Sequence, residues 1–113
     1  MASQATTQAE ISLQDDEYLL LQGRLDFVSV PVLLSNVKKL LKQSLSHRPA
    51  QEYVEIDLAN ITQSNSAGIA FLLELNRLCH VANKRLRIKN MSEQMQVIAR
   101  VHGVDKTLTA MIS

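Results

Sequence analysis

Tryptophan is absent from the 113 residues, and there are only two phenylalanines and two tyrosines. A core so poor in large rings has to be packed from leucine, isoleucine and valine. With 46% of the residues hydrophobic, the chain has enough of them for one core, and too little length for a second domain of ordinary size. A single cysteine, Cys79, excludes a disulfide within the chain and fits a reducing compartment. No segment approaches the roughly 18 consecutive apolar residues of a membrane span. Met1 to Gln8 lacks the apolar run of a signal peptide. Neither sign of charge is in excess: 12 basic residues face 11 acidic ones, for a net charge of +1, which gives no electrostatic reason to expect a nucleic-acid partner. Neither G-x-G-x-x-G nor G-x-x-x-x-G-K-[ST] occurs, so an ordinary nucleotide site is unsupported. The expectation is a cytoplasmic protein with no direct membrane insertion and no cofactor.

What is present is an alternation of strand and helix patterns. Residues 1–9 read as a flexible tail and 10–113 as the folded domain. Ala9 to Leu13 alternates weakly, Asp15-Asp16-Glu17 is a polar turn, and Tyr18 to Gln22 is a short apolar run ending at Gly23, which suits a buried strand. Val30, Leu33, Leu34, Val37, Leu40 and Leu41 then follow the spacing of one helix face, with Lys38, Lys39 and Lys42 off its centre. Pro31 suits a helix start, and Ser29 is the expected cap. Ser44 to Gln51, with Pro49, reads as a loop. Tyr53 to Leu58 alternates as a strand, and a polar stretch follows from Asn60 to Ser66. A long apolar helix runs from Ala67 to about Ala82, Asn83-Lys84 turns the chain, and Arg85 to Lys89 alternates again. Ser92 caps a third helix, Glu93 to His102, and Gly103 is placed for its C-terminal cap. Leu108 to Ile112 forms a last short strand or helix. Strands alternating with helices imply an α/β fold with a mixed, largely parallel sheet and helices packed on it, the opening strand pair being antiparallel.

The second helix carries the anomaly. At about 100° per residue, Phe71, Leu72, Leu75, Leu78, Cys79 and Ala82 cluster on a core side. Ser66, Ile69, Ala70, Leu73 and Arg77 share the opposite side, where polar residues are expected. Either another segment of the chain covers these apolar residues or a partner docks on them, and periodicity does not choose. Gly68 in the first turn costs about 1 kcal/mol relative to alanine in a helix interior, which points to a close packing contact or a special dihedral.

Other chemistries have little to stand on. His47, His80 and His102 show no metal-ligand spacing with one another or with Cys79, so no metal is expected. Cys79 reads as a small buried hydrophobe rather than a nucleophile. Asp57 reads as a loop-stabilising carboxylate rather than a general base, and Met91, Met95 and Ile98 as core.

Three segments together resemble the STAS family. They are Gln22-Gly23-Arg24-Leu25-Asp26 before the first helix, Ile56-Asp57-Leu58-Ala59 on the third strand, and Asn65-Ser66-Ala67-Gly68-Ile69 at the start of the second helix. The resemblance runs from roughly Ile11 to the end of the chain. It implies a STAS-like fold and a docking module with no catalytic residues. Anti-sigma factor antagonists of this family read D-S-S-G at the helix start, with the second serine phosphorylated. Here that position is Ala67, so the usual phospho-switch is missing. One hydroxyl at Ser66, then a small residue and glycine, more closely resembles the STAS subunit of bacterial phospholipid ABC transporters of the Mla type, which has threonine at the Ser66 position. The resemblance implies a non-enzymatic accessory subunit that binds the transporter's cytoplasmic ATPase and lies at the inner membrane through it. The alternative it implies is an antagonist partnered by an anti-sigma factor kinase and phosphorylated at Ser66 or Ser64. Asn65, Ser66, Gly68, Ile69, Ala70, Leu73 and Arg77 are the expected partner-binding residues.

Overall fold

Eight elements follow in chain order: β1 (Glu10–Gln14), β2 (Tyr18–Leu25), α1 (Ser29–Gln43), β3 (Tyr53–Ser64), α2 (Ser66–Val81), β4 (Arg85–Lys89), α3 (Glu93–Val101) and α4 (Asp105–Thr109). The computed structural model describes residues 9–15, 17–43, 45 and 52–112. Most of the expected tail, Asp16 of the first turn, and the expected loop Ser44–Gln51 with His47 and Pro49 lie outside these residues, Ala9 and Leu45 excepted.

The four strands form one sheet in the order β1-β2-β3-β4. The β1/β2 pair is antiparallel, while β2/β3 and β3/β4 are parallel, which is the mixed, largely parallel sheet expected from the strand–helix alternation. Alternation along the strands separates the two faces. Leu19 and Leu21, Val54, Ile56 and Leu58, and Leu86 and Ile88 are buried beneath the helices, while Leu20, Glu55, Asp57 and Arg87 on the opposite face are only half-buried. Helices α1, α2 and α3 lie side by side. The molecule is 20 Å through its thinnest dimension, about one sheet plus one layer of helices, a helix being about 10–12 Å across with its side chains. Phe71, Leu72, Leu75 and Cys79, all fully buried, make α2 the central helix of the core.

Several boundaries differ from the sequence reading. β2 continues past Gln22 to Leu25, through register shifts between Leu20 and Gln22 and between Gly23 and Arg24. β3 runs to Ser64 and absorbs most of the stretch read as a polar connection. Its pairing with β4 stops at Asp57, so beyond that point only β2 flanks it, and polar Asn60, Thr62 and Gln63 are exposed there. The first helix is capped by Asp26 rather than Ser29: Asp26 Oδ1 accepts from the N–H groups of Val28 and Ser29, each at 2.9 Å. Ser29 lies inside the helix, and its hydroxyl donates to the carbonyl of Arg24 at 2.7 Å. The last segment forms α4, earlier than expected, and only Ile112 extends as a single bridge to Ile88. The cap of α3 is as expected. Ser92 Oγ accepts from the Met95 N–H at 3.1 Å, and Gly103, at φ 73°, allows Val104 N–H to reach back to the Ala99 carbonyl.

Candidate docking site

Parallel pairing brings the C-terminal ends of β2 and β3 together, with Leu25 opposite Ser64. The chain leaves these ends to begin α1 and α2. The two motif segments around Asp26 and Asn65 therefore meet at one edge of the sheet, the usual place for a binding site in α/β folds. Each starts its helix with a side-chain cap. Asn65 Oδ1 accepts from the Ala67 N–H at 2.8 Å, while the Asn65 N–H donates to the Leu25 carbonyl at 3.2 Å, tying the two segments to each other. The third motif segment does not join them. Asp57 sits within β3, where its Oδ1 accepts from the Ala59 N–H at 2.9 Å and from Asn90 Nδ2 at 2.8 Å, a brace between neighbouring strands.

Gly68 is buried and has an ordinary backbone. The reason for glycine is proximity: a Cβ there would overlap Ser64 Oγ and stand 3.2 Å from Leu25 Cβ and Cδ1. Ser64 itself is buried, and its hydroxyl donates to the Asn65 carbonyl at 3.1 Å. It borders a polar recess of about 160 Å³ lined also by Arg24, Asp26, Gln63, Asn65 and Gln94.

Next to this recess an apolar trough of about 370 Å³ lies over the first two turns of α2. Ser66, Ile69, Ala70 and Leu73 line it from α2, Phe27 from the turn before α1, and His102 and Val104 from the end of α3. The wheel places Ser66, Ala70 and Leu73 correctly: Ala70 is exposed, and Ser66 and Leu73 are half-buried. Ile69 is a correction. Only 3% of it is exposed, so it is the floor of the trough and not part of its free surface. Arg77 is exposed but stands outside the trough, in a double contact with Glu74 one turn back. Asn65 and Gly68 build the helix start rather than line the trough. Phe27 was missed. It is 73% exposed, and its only signal in the sequence is an aromatic residue off the stripe of the first helix. His102 and Val104 carried no signal, because nothing local shows that the end of α3 lies beside the start of α2.

Among the described residues, no group of three or more His, Cys, Asp or Glu side chains is placed to hold a metal ion. Cys79 is buried in the core, and that burial pushes its thiol up to about 12, leaving it protonated at neutral pH. No described helix is long and apolar enough to cross a membrane.

Residues 11–112 match a family model described as "Mlab, STAS domain". Among solved structures the chain is similar to the anti-sigma factor antagonist SpoIIAA in its unphosphorylated form. The identity is 15% and the TM-score 0.64, over 93% of this chain and 85% of that one. It is also similar to an anti-sigma-factor antagonist (STAS) domain protein from Planctomyces limnophilus, at 13% identity and a TM-score of 0.61, over 88% of this chain and 85% of that one. At these identities the likeness is one of fold. No curated protein sequence matches the chain.

Proposed function

Because this chain belongs to the STAS family described as "Mlab, STAS domain", we propose that it is a non-enzymatic accessory subunit that docks onto the cytoplasmic ATPase of a phospholipid ABC transporter. The trough over α2 is the observation that carries this reading. Its apolar lining lies beside Phe27 and Val28, which are 73% and 70% exposed. Exposed apolar residues gathered at one place on a small domain mark an interaction surface. Phe27 and Leu73 would be the anchors, Ala70 lets a partner backbone approach, and Ser66 offers one hydrogen bond at the positive end of α2. Burying a side chain of this size contributes roughly 1.5–3 kcal/mol when it starts fully exposed, less in proportion for half-buried Leu73, and before the costs of association. Docking there would hold the protein at the inner membrane through its partner. The test is the affinity of the purified chain for a purified phospholipid-transporter ATPase, with a sulphate- or sugar-transporter ATPase as control. Binding to the first alone supports the reading, and binding to neither removes it.

The likeness in fold to SpoIIAA favours a second reading, an anti-sigma factor antagonist whose partner is an anti-sigma factor kinase. Ser66 or Ser64 would then be the phosphorylated residue. Ser66 is half-buried at the trough, whereas the Ser64 hydroxyl is engaged by the Asn65 carbonyl beneath Gly68. A kinase would therefore reach Ser66 first. Intact-mass analysis after incubation with such a kinase distinguishes the two: stoichiometric phosphate on Ser66 or Ser64 selects the antagonist.

A further inference from the structure

The two edges of the sheet are finished differently. β4 carries Arg85, Arg87 and Lys89, and the segment after α4 closes on it: Ile88 N–H donates to the Met111 carbonyl at 2.8 Å, beside the bridge between Ile88 and Ile112. β1, at the other edge, has no lysine, arginine or proline. Its pairing with β2 runs from Glu10 to Gln14 without a bulge, and among the described residues no second strand flanks it. Charge, proline and bulges are the usual devices that keep an edge from pairing with another chain. β1 has only Glu10, at its first residue.

The direction of the backbone shows what this edge offers. The Gln14 carbonyl accepts from the Glu17 N–H at 2.8 Å in the turn that leads into β2, so the Gln14 backbone faces inward. Successive residues of a strand turn their polar backbone groups to opposite sides. The N–H and C=O groups of Leu13 and Ile11 therefore point to the free edge. Their side chains are half-buried against the core, while Ser12 and Gln14 share the other face, where Gln14 Nε2 donates to Ser12 Oγ at 2.8 Å. This pattern is self-complementary about Ser12. In an antiparallel copy, Ile11 stands opposite Leu13 and Leu13 opposite Ile11, each pair exchanging both of its N–H···O bonds. Glu10 falls opposite Gln14, whose second amide hydrogen can meet the carboxylate. Ser12 falls opposite itself, and no like charges are directly opposed.

The helix above the edge fits the same arrangement. α1 lies against both β1 and β2, so a two-fold copy sets its own α1 about two strand spacings away, roughly 9–10 Å, the distance at which helices pack. Lys38 acts by its charge on Glu74 and so marks the side of α1 that faces α2. The flank turned the other way carries Val32, Asn36, Leu40 and Gln43, none of them charged, and Val32 is 57% exposed.

We propose that β1 is a dimerisation edge, and that its occupant is β1 of a second copy of this chain, paired antiparallel about a two-fold axis at Ser12. The two sheets then run on as one, with the helices of both copies on the same face. The trough lies over α2, across α1 from the joined edges, and stays open in both copies, so the dimer is independent of the partner that docks there. One short strand and one helix flank per copy make a small interface, at or below about 1,200 Å², which gives weak association.

The experiment is sedimentation equilibrium of the full chain from about 10 μM to 1 mM, the range of a weak dimer, with ¹⁵N spectra over the same concentrations. A monomer–dimer equilibrium is expected, with concentration-dependent shifts at Ile11 to Leu13 and at Val32, Asn36 and Leu40, and none at Leu86 to Lys89. Ser12 lies on the face away from the core, so Ser12→Lys and Ser12→Glu should melt close to wild type. Each places like charges opposite each other across the axis and should weaken the dimer about fivefold. An equimolar mixture of the two variants pairs lysine with glutamate and should restore association to at least the wild-type level, which a general loss of stability would not do. A chain that stays monomeric to 1 mM overturns the proposal. So does a dimer whose shifts lie at β4 or at the trough, or one that neither variant weakens.

Discussion

The hydroxyl oxygen of Ser64 occupies the space that a Cβ on Gly68 would fill, so the last residue of β3 and the first turn of α2 are packed to contact. Gly68→Ala should therefore destabilise the domain. Overpacking of this kind typically costs about 1–3 kcal/mol, and the better helix propensity of alanine returns only about 1 kcal/mol. Adding Ser64→Ala removes the worst overlap and should restore part of the loss. Urea melts of the two single variants and the double variant check this. Additive effects, with no coupling between the sites, would show that the contact is not what requires glycine.

Asp26 sets an acid limit on stability. The Ser29 N–H, then the Val28 N–H and the charge of Arg24 hold its carboxyl below its ordinary value of 3.8, against an opposing effect of burial. A carboxyl with a depressed folded-state pKa binds fewer protons when folded. Its contribution is complete above the unfolded value and is lost as pH falls through the folded one. Asp26→Asn should lower stability near neutral pH and lose less than wild type on acidification below about pH 4. Chemical melts across that window measure it. Parallel stability curves for the two proteins would show that Asp26 is not a linked group.

Cys79 should be inert in the folded protein. The thiolate is the reactive form, and burial pushes this thiol up to about 12. A thiol reagent at neutral pH should label Cys79 slowly in buffer and rapidly in urea. Equal rates in the two conditions would contradict its place in the core.

The cap of α2 is a local test of the site. Asn65→Ala should cost about 1 kcal/mol, the usual value for losing an N-cap side chain, seen as a lower urea midpoint with an unchanged slope. An unchanged midpoint would mean that water replaces the Asn65 carboxamide at no cost.

What the sequence made legible followed from repeating patterns. The strand and helix order and the core side of α2 come from apolar spacing, and the α3 caps come from Ser92 and Gly103. The reading failed where neighbours distant in sequence decide the outcome. The far half of β3 lacks alternation because β4 ends beside Asp57, so no pattern marked it as strand. Ile69 was assigned to the outer side because a helical wheel has one buried arc, yet α2 is flanked by both α1 and α3 and its buried arc is wider. Phe27, His102 and Val104 reach the trough from two other parts of the chain, and only the fold brings them beside Leu73. The start of α2 was visible in the segment Asn65 to Ile69, whereas the trough beside it was not.

Docking through the trough is tested most directly by the affinity of Leu73→Asp for the transporter ATPase, read beside thermal melts of Leu73→Asp and Leu75→Asp. Leu73 is half-buried at the trough and Leu75 fully buried in the core. An unpaired charge at Leu75 carries a desolvation penalty of several kcal/mol and should unfold the domain. Leu73→Asp should stay folded, with a modest loss in melting temperature, and place a charge where the partner needs an apolar contact. Phe27→Ala should melt like wild type and bind more weakly. The expected result is a folded Leu73→Asp protein whose binding falls by about two orders of magnitude, the effect of losing one central anchor. A folded Leu73→Asp protein that binds as tightly as wild type would place the docking face elsewhere on the molecule.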